Sequence, residues 1–178
     1  MATTSISAST TSPGERPAAR PWRLSGASYK AALTAHILGS VGWFGAAVLV
    51  AFCAIYSAAT SDTTTVRAML RVVEAAPWLT VPLGLVAGGT GLILSIGTKW
   101  GIVRHFWVVA KIIITIVLLV TDPLLIARGA HDAAASGDAA STLFGPIFAH
   151  AVLLAVATLL STFKPKGLTP YGRRVAAR

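Results

Sequence analysis

Four apolar runs constrain this chain more than any other feature of it; they cover residues 32–58, 78–96, 106–127 and 143–163. Each is close to the roughly 20 apolar residues that a helix needs to cross a hydrocarbon core. Within a run the apolar character is continuous, without the inside-outside alternation of a membrane strand, and lipid leaves unpaired strands no hydrogen-bonding partner. The expected fold class is therefore all-α, an integral membrane four-helix bundle. Composition agrees, since 54% of the residues are hydrophobic and 12% charged, where soluble domains carry roughly a quarter of charged residues.

Charge distribution orients the bundle. Of the 15 Lys and Arg residues, Arg16, Arg20, Arg23 and Lys30 precede the first run. Lys164, Lys166, Arg173, Arg174 and Arg178 follow the last, and Lys99, Arg104 and Lys111 border the second loop. Arg67, Arg71 and Arg128 alone fall in the first and third loops. The positive-inside rule then places both the N-terminus and the C-terminus in the cytoplasm, with the basic flanks against anionic headgroups. A net charge of +9 distributed in this way speaks for the lipid bilayer as partner and against nucleic acid.

The organisation expected is a disordered basic Ser/Thr/Ala-rich tail over 1–29, a transmembrane domain over 30–163 and a basic cytoplasmic tail over 164–178. The first apolar run starts too far along and continues too long for a cleavable export signal. Cys53, the single cysteine, has no intrachain partner. In the first loop Val66, Met69, Leu70 and Val73 recur at helical spacing, which fits either an amphipathic helix on the outer surface or an early start of the second membrane helix with a bend at Pro77 and Pro82.

Polar and ionisable residues inside a membrane span are costly and mark function or helix contact. Here they are His36 in the first run, Lys111 and Asp122 in the third and His150 in the fourth, with His105 at the border. Gly39, Ser40 and Trp43 follow His36 at offsets of three, four and seven, and so share its helical face. A stripe of this kind admits a flat cofactor, with His36 as an axial ligand to haem iron. It equally suits close helix packing at Gly39, Gly42 and Gly45, with His36 hydrogen-bonded across the interface. Gly84, Gly88, Gly91 and Ser95 form a second small-residue ridge suited to close packing.

Lys111 and Asp122 lie on one stripe but roughly 16 Å apart along the axis, so each needs its own partner. Lys111 either snorkels to the headgroups or faces inward; Asp122, just before Pro123, faces solvent, a vestibule or a proton path. His150 lies nearer the outer side and His36 nearer the inner, roughly 10 Å or more apart in depth, which disfavours a bis-histidine pair. His36 with His105 or Lys111 is the better-matched cofactor set. The sequence contains no two-cysteine haem attachment motif, phosphate loop, nucleophile elbow or His-Glu-x-x-His.

The stretch His36-Ile-Leu-Gly-Ser-Val-Gly-Trp-Phe-Gly45 resembles the first-helix signature of bacterial membrane proteins related to CopD-type copper-resistance proteins and HemJ-type protoporphyrinogen oxidases. Gly91-Leu-Ile-Leu-Ser95, Thr98-Lys-Trp-Gly101, Arg104-His-Phe-Trp107 and Lys111 resemble, more narrowly, an actinobacterial family of predicted integral membrane proteins of unassigned function. The narrower resemblance implies a multi-pass protein of the bacterial plasma membrane. The wider one implies b-type haem on His36, with Lys111 as the matching third-helix lysine. Asp122 stands where HemJ-type proteins tend to have a further histidine, and the arginine-rich continuation after the first-helix tryptophan is missing. Three functions follow as expectations: a haem-binding or redox membrane protein, a scaffold or subunit associating with itself or a membrane partner, and a small transporter component.

Overall fold

The computed structural model describes residues 24–98, 101–136, 139–165 and 167–177, and of 139–142 the backbone alone. The expected N-terminal tail up to residue 23, with Lys99, Trp100, Lys166 and Arg178, lies outside the described residues.

Helix α1, Gly26–Ala59, is capped at its start by Ser25, whose side chain accepts from the backbone N–H of Ser28. It reaches beyond the expected 32–58 because Ser28 to Lys30 carry it out of the apolar layer. Helix α2, Thr63–Ala75, starts on Asp62, whose carboxylate accepts from the N–H groups of Thr64 and Thr65. Helix α3, Pro77–Ile96, abuts α2 at Ala76. Pro77 sits in its first turn, where a missing N–H costs nothing. The first loop is thus an amphipathic helix that runs into α3 through Ala76, itself in helical conformation, and its apolar face points into the protein: Leu70 and Val73 are 1% and 0% exposed.

Helix α4, Phe106–Thr121, runs into a π-helical turn, Asp122–Ala127, and on into α5, Arg128–Ser136. Pro123 has no N–H to offer the carbonyl four residues earlier, so the α-register breaks at this point. The helix therefore continues beyond 127, where the third apolar run ends, through what reads as a polar loop. Ala130 and Ala133 are one turn apart and buried, and their small size lets α5 lie against α2. Helix α6, Ala139–Phe163, returns across the bundle, and α7, Pro170–Ala176, follows it.

In the bundle α1 packs against α3 and α6, and α4 packs against the other sides of both, so α1 and α4 stand at opposite corners. Leu24 occupies the space beside Gly97 at the end of α3, and Leu168 pairs with His105 just before α4. Both tails thus emerge at one end, called here the tail end, opposite the far end carrying α2 and α5. A core cluster of Val50, Cys53, Ala54, Leu70, Val73, Ile126, Ala130, Ala133, Leu143 and Ile147 fills the far half. A smaller one, Trp43, Ala47, Ala87, Leu118 and Leu154, occupies the middle.

The outside of the bundle is apolar. Leu38, Phe52, Leu85, Ile113 and Phe148 are all more than half exposed, and they fall on all four of the stretches that are long and apolar enough to span a membrane. In water such a surface would aggregate; in lipid it is solvated. The chain has the architecture of a multi-pass integral membrane protein.

Candidate functional site

Toward the tail end the bundle opens into two clefts. One, of ≈ 320 Å³, lies between α3 and α4; the other, of ≈ 240 Å³, lies among α1, α4 and α6. His36 and Lys111 line both clefts, as do Ala87 and Thr115.

His36 Nδ1 lies 2.8 Å from the carbonyl oxygen of Ala87 and 3.3 Å from Thr90 Oγ1 on α3. A carbonyl can only accept, so Nδ1 carries the proton and Nε2 retains the lone pair. Among metal-binding histidines this is the arrangement that fixes the tautomer and orients the ring. Gly91 makes the approach of the ring to α3 feasible, since a Cβ there would stand 3.2 Å from His36 Cε1. The other glycines also mark close approaches. A Cβ on Gly39 would stand 3.0 Å from Ala87 N, one on Gly84 2.8 Å from a Leu119 methyl and one on Gly88 3.1 Å from Thr115 Cγ2. Gly42 faces Leu83. The α3 ridge therefore serves two helices: Gly84 meets α1 and α4, Gly88 meets α4, and Gly91 meets α1.

Lys111 Nζ donates to Ser161 Oγ at 2.6 Å, across to α6. Of the two alternatives the sequence leaves open, the inward one holds. The Ser161 hydroxyl in turn donates to the Ala157 carbonyl, so one neutral oxygen is the partner shown for an ammonium within the span. Trp43 lines the second cleft and is 3% exposed. His105 is placed apart from this set. It precedes α4 in extended conformation, 6.3 Å from the Trp107 ring, and lines neither cleft.

Asp122 and His150, which the sequence treats separately, come together in the far half. His150 Nδ1 is 3.0 Å from Asp122 Oδ1, with both side chains 5% exposed. The approach is close but not aligned as a hydrogen bond, and Nδ1 and Asp122 Oδ2 have no hydrogen-bond partner. The edge of Trp43 meets the His150 ring at 6.0 Å and 76°. Lys111 and Asp122 thus belong to different cavities, as their separation along the helix requires. Their similar depth near the far ends of adjacent spans was the signal for the Asp122–His150 pair.

No group of three or more His, Cys, Asp or Glu side chains among the described residues converges as a metal site. Comparison of the chain with family models, curated proteins and solved structures finds no match.

Proposed function

We propose that the protein is a membrane redox protein that holds a b-type haem between its helices at the tail end, with His36 as axial ligand. The observation that carries this reading is the Nδ1–H···O=C bond to Ala87, which leaves Nε2 as the electron-pair donor of an imidazole bordering two clefts. The donor set suits ligation by one histidine. His150 is engaged with Asp122, and His105 lies outside the clefts.

The surroundings support the same reading. Gly89 lines the cleft between α3 and α4, and a Cβ there would meet nothing within 4 Å, so bare backbone borders the space that a flat ring requires. Lys111 supplies a cation for a carboxylate, such as a haem propionate, within a cavity otherwise lined largely by apolar side chains. Such a carboxylate would replace or supplement Ser161 as partner of the ammonium. A haem there would supply a one-electron couple inside the bilayer. The chain's own residues would orient it through His36, seat it on α3 and screen it from water with Trp43.

The resemblance of the first-helix stretch to HemJ-type proteins points in the same direction. The reading is tested by the haem content of protein purified in detergent after expression with a haem precursor. About one haem per chain supports it; none overturns it.

A further inference from the structure

We propose that Asp122 and His150 form a buried proton-binding site in the far half of the bundle, which holds one proton between carboxylate and imidazole beside one water molecule. The inference stands independently of any cofactor at His36.

Both side chains are 5% exposed, and their polar atoms approach to 3.0 Å. Against them lies a cavity of ≈ 10 Å³, about the room that one water needs. Two buried polar atoms without hydrogen-bond partners, Asp122 Oδ2 and His150 Nδ1, belong to the residues that line it. A water there would satisfy both, and leaving either unsatisfied in such surroundings is costly.

Charge decides how many protons the site keeps. With one proton the pair is neutral overall, either as carboxylate with imidazolium or as carboxylic acid with imidazole. Removing it would leave a lone buried carboxylate, and adding another a lone buried imidazolium, each strongly disfavoured in apolar surroundings. Among the described residues no other titratable group lines the cavity: α1 contributes Ala47 and Val50, α3 Pro77 and Thr80, the π-helical turn Ile126 and α6 Ile147, with Ala76 between α2 and α3. Of the charged residues of α2 and α5, Arg67, Arg71, Glu74 and His131 line a separate groove at the surface, and Arg128 and Asp132 do not line the cavity.

Within this pair the proton moves by one balanced step. The Asp122 O–H bond breaks as its proton passes to the water, while a water O–H bond breaks as that proton forms the N–H bond of His150 Nδ1. The π-helical turn starting at Asp122 is a local irregularity of the kind often found at functional positions. Trp43 links the site to the rest of the molecule, because its ring meets His150 and also lines the cleft that His36 borders.

The test is infrared difference spectroscopy of the full chain in detergent, titrated in H2O and D2O across the range in which carboxylates and imidazoles ionise. The proposal expects a deuterium-sensitive carboxyl band that changes together with imidazole bands, and loss of both in Asp122→Asn and in His150→Gln. It also expects an internal-water O–H band that shifts in oxygen-18 water. Independent titration of the two groups, or no oxygen-18-sensitive band, would overturn it. Nitrogen-15 histidine NMR of the unaltered protein gives the same decision if either variant fails to fold: His150 must change in step with the carboxyl.

Discussion

His36 donates from Nδ1 to the carbonyl oxygen of Ala87, 2.8 Å away on the adjacent helix. That contact joins α1 to α3 and also determines which ring nitrogen remains free. Gly91 is the residue that permits it, and replacing Gly91 by Leu should push the imidazole off α3. The expected result is a folded protein with its haem lost or weakly held, read as haem per chain beside the melting temperature. Haem retained in full would show that the imidazole does not need this seat.

Lys111 tests the electrostatics of the same clefts. A cation beside a haem favours the reduced, less positive state, so Lys111→Met should lower the reduction potential. Spectroelectrochemistry in detergent measures the shift. An unchanged potential would place the ammonium away from the cofactor.

The apolar cluster of the far half should depend on packing alone. Leu70 is 1% exposed within the cluster shared by α1, α2, α5 and α6, and Leu70→Ala should cost about 2–5 kcal/mol through the cavity it leaves. Thermal unfolding in detergent reads this loss, and a cost close to zero would mean that α2 does not pack as described.

This region also shows where the sequence stops being informative. The spans were legible because length and continuous apolarity suffice to define them, and Gly84, Gly88 and Gly91 were legible as a ridge by their spacing. The continuation of the third helix into α5 was not, since Arg128, His131 and Asp132 give the segment a polar character while Ala130 and Ala133 carry the packing. Of the site, His36, Trp43 and Lys111 were readable as intramembrane residues, and their helical faces only through offsets within one run. Which carbonyl His36 meets, and the pairing of Asp122 with His150, depend on how different helices turn toward each other, and no spacing within one run encodes that.

Thr169 ties the C-terminal segment to the loop before α4. Its hydroxyl donates to the Val103 carbonyl and accepts from the Gly172 N–H, capping α7. Thr169→Ala should remove about 1 kcal/mol of local stability and raise hydrogen exchange over 167–177, leaving the spans unchanged. Protection retained there would show that the cap is not what holds α7.

Asp62 supplies a pH-dependent cap at the start of α2. Hydrogen bonds from the Thr65 hydroxyl and from the N–H groups of Thr64 and Thr65 hold its carboxyl below the ordinary carboxylate range. The cap is complete above the carboxyl's unfolded-state value and is lost as pH falls through the lower folded value. Chemical shifts of the Thr64 and Thr65 amides should follow this titration in the unaltered protein and lose it in Asp62→Asn. A titration that persists in the variant would assign the effect to another group.

The central claim rests on His36, and its most direct test is the optical spectrum of the detergent-purified protein, oxidised and then dithionite-reduced, beside His36→Ala prepared identically. Haem ligation by His36 gives a Soret band that shifts on reduction in the unaltered protein and is absent from the variant. A featureless visible spectrum after haem is supplied during expression, or a Soret band unchanged in His36→Ala, would contradict it.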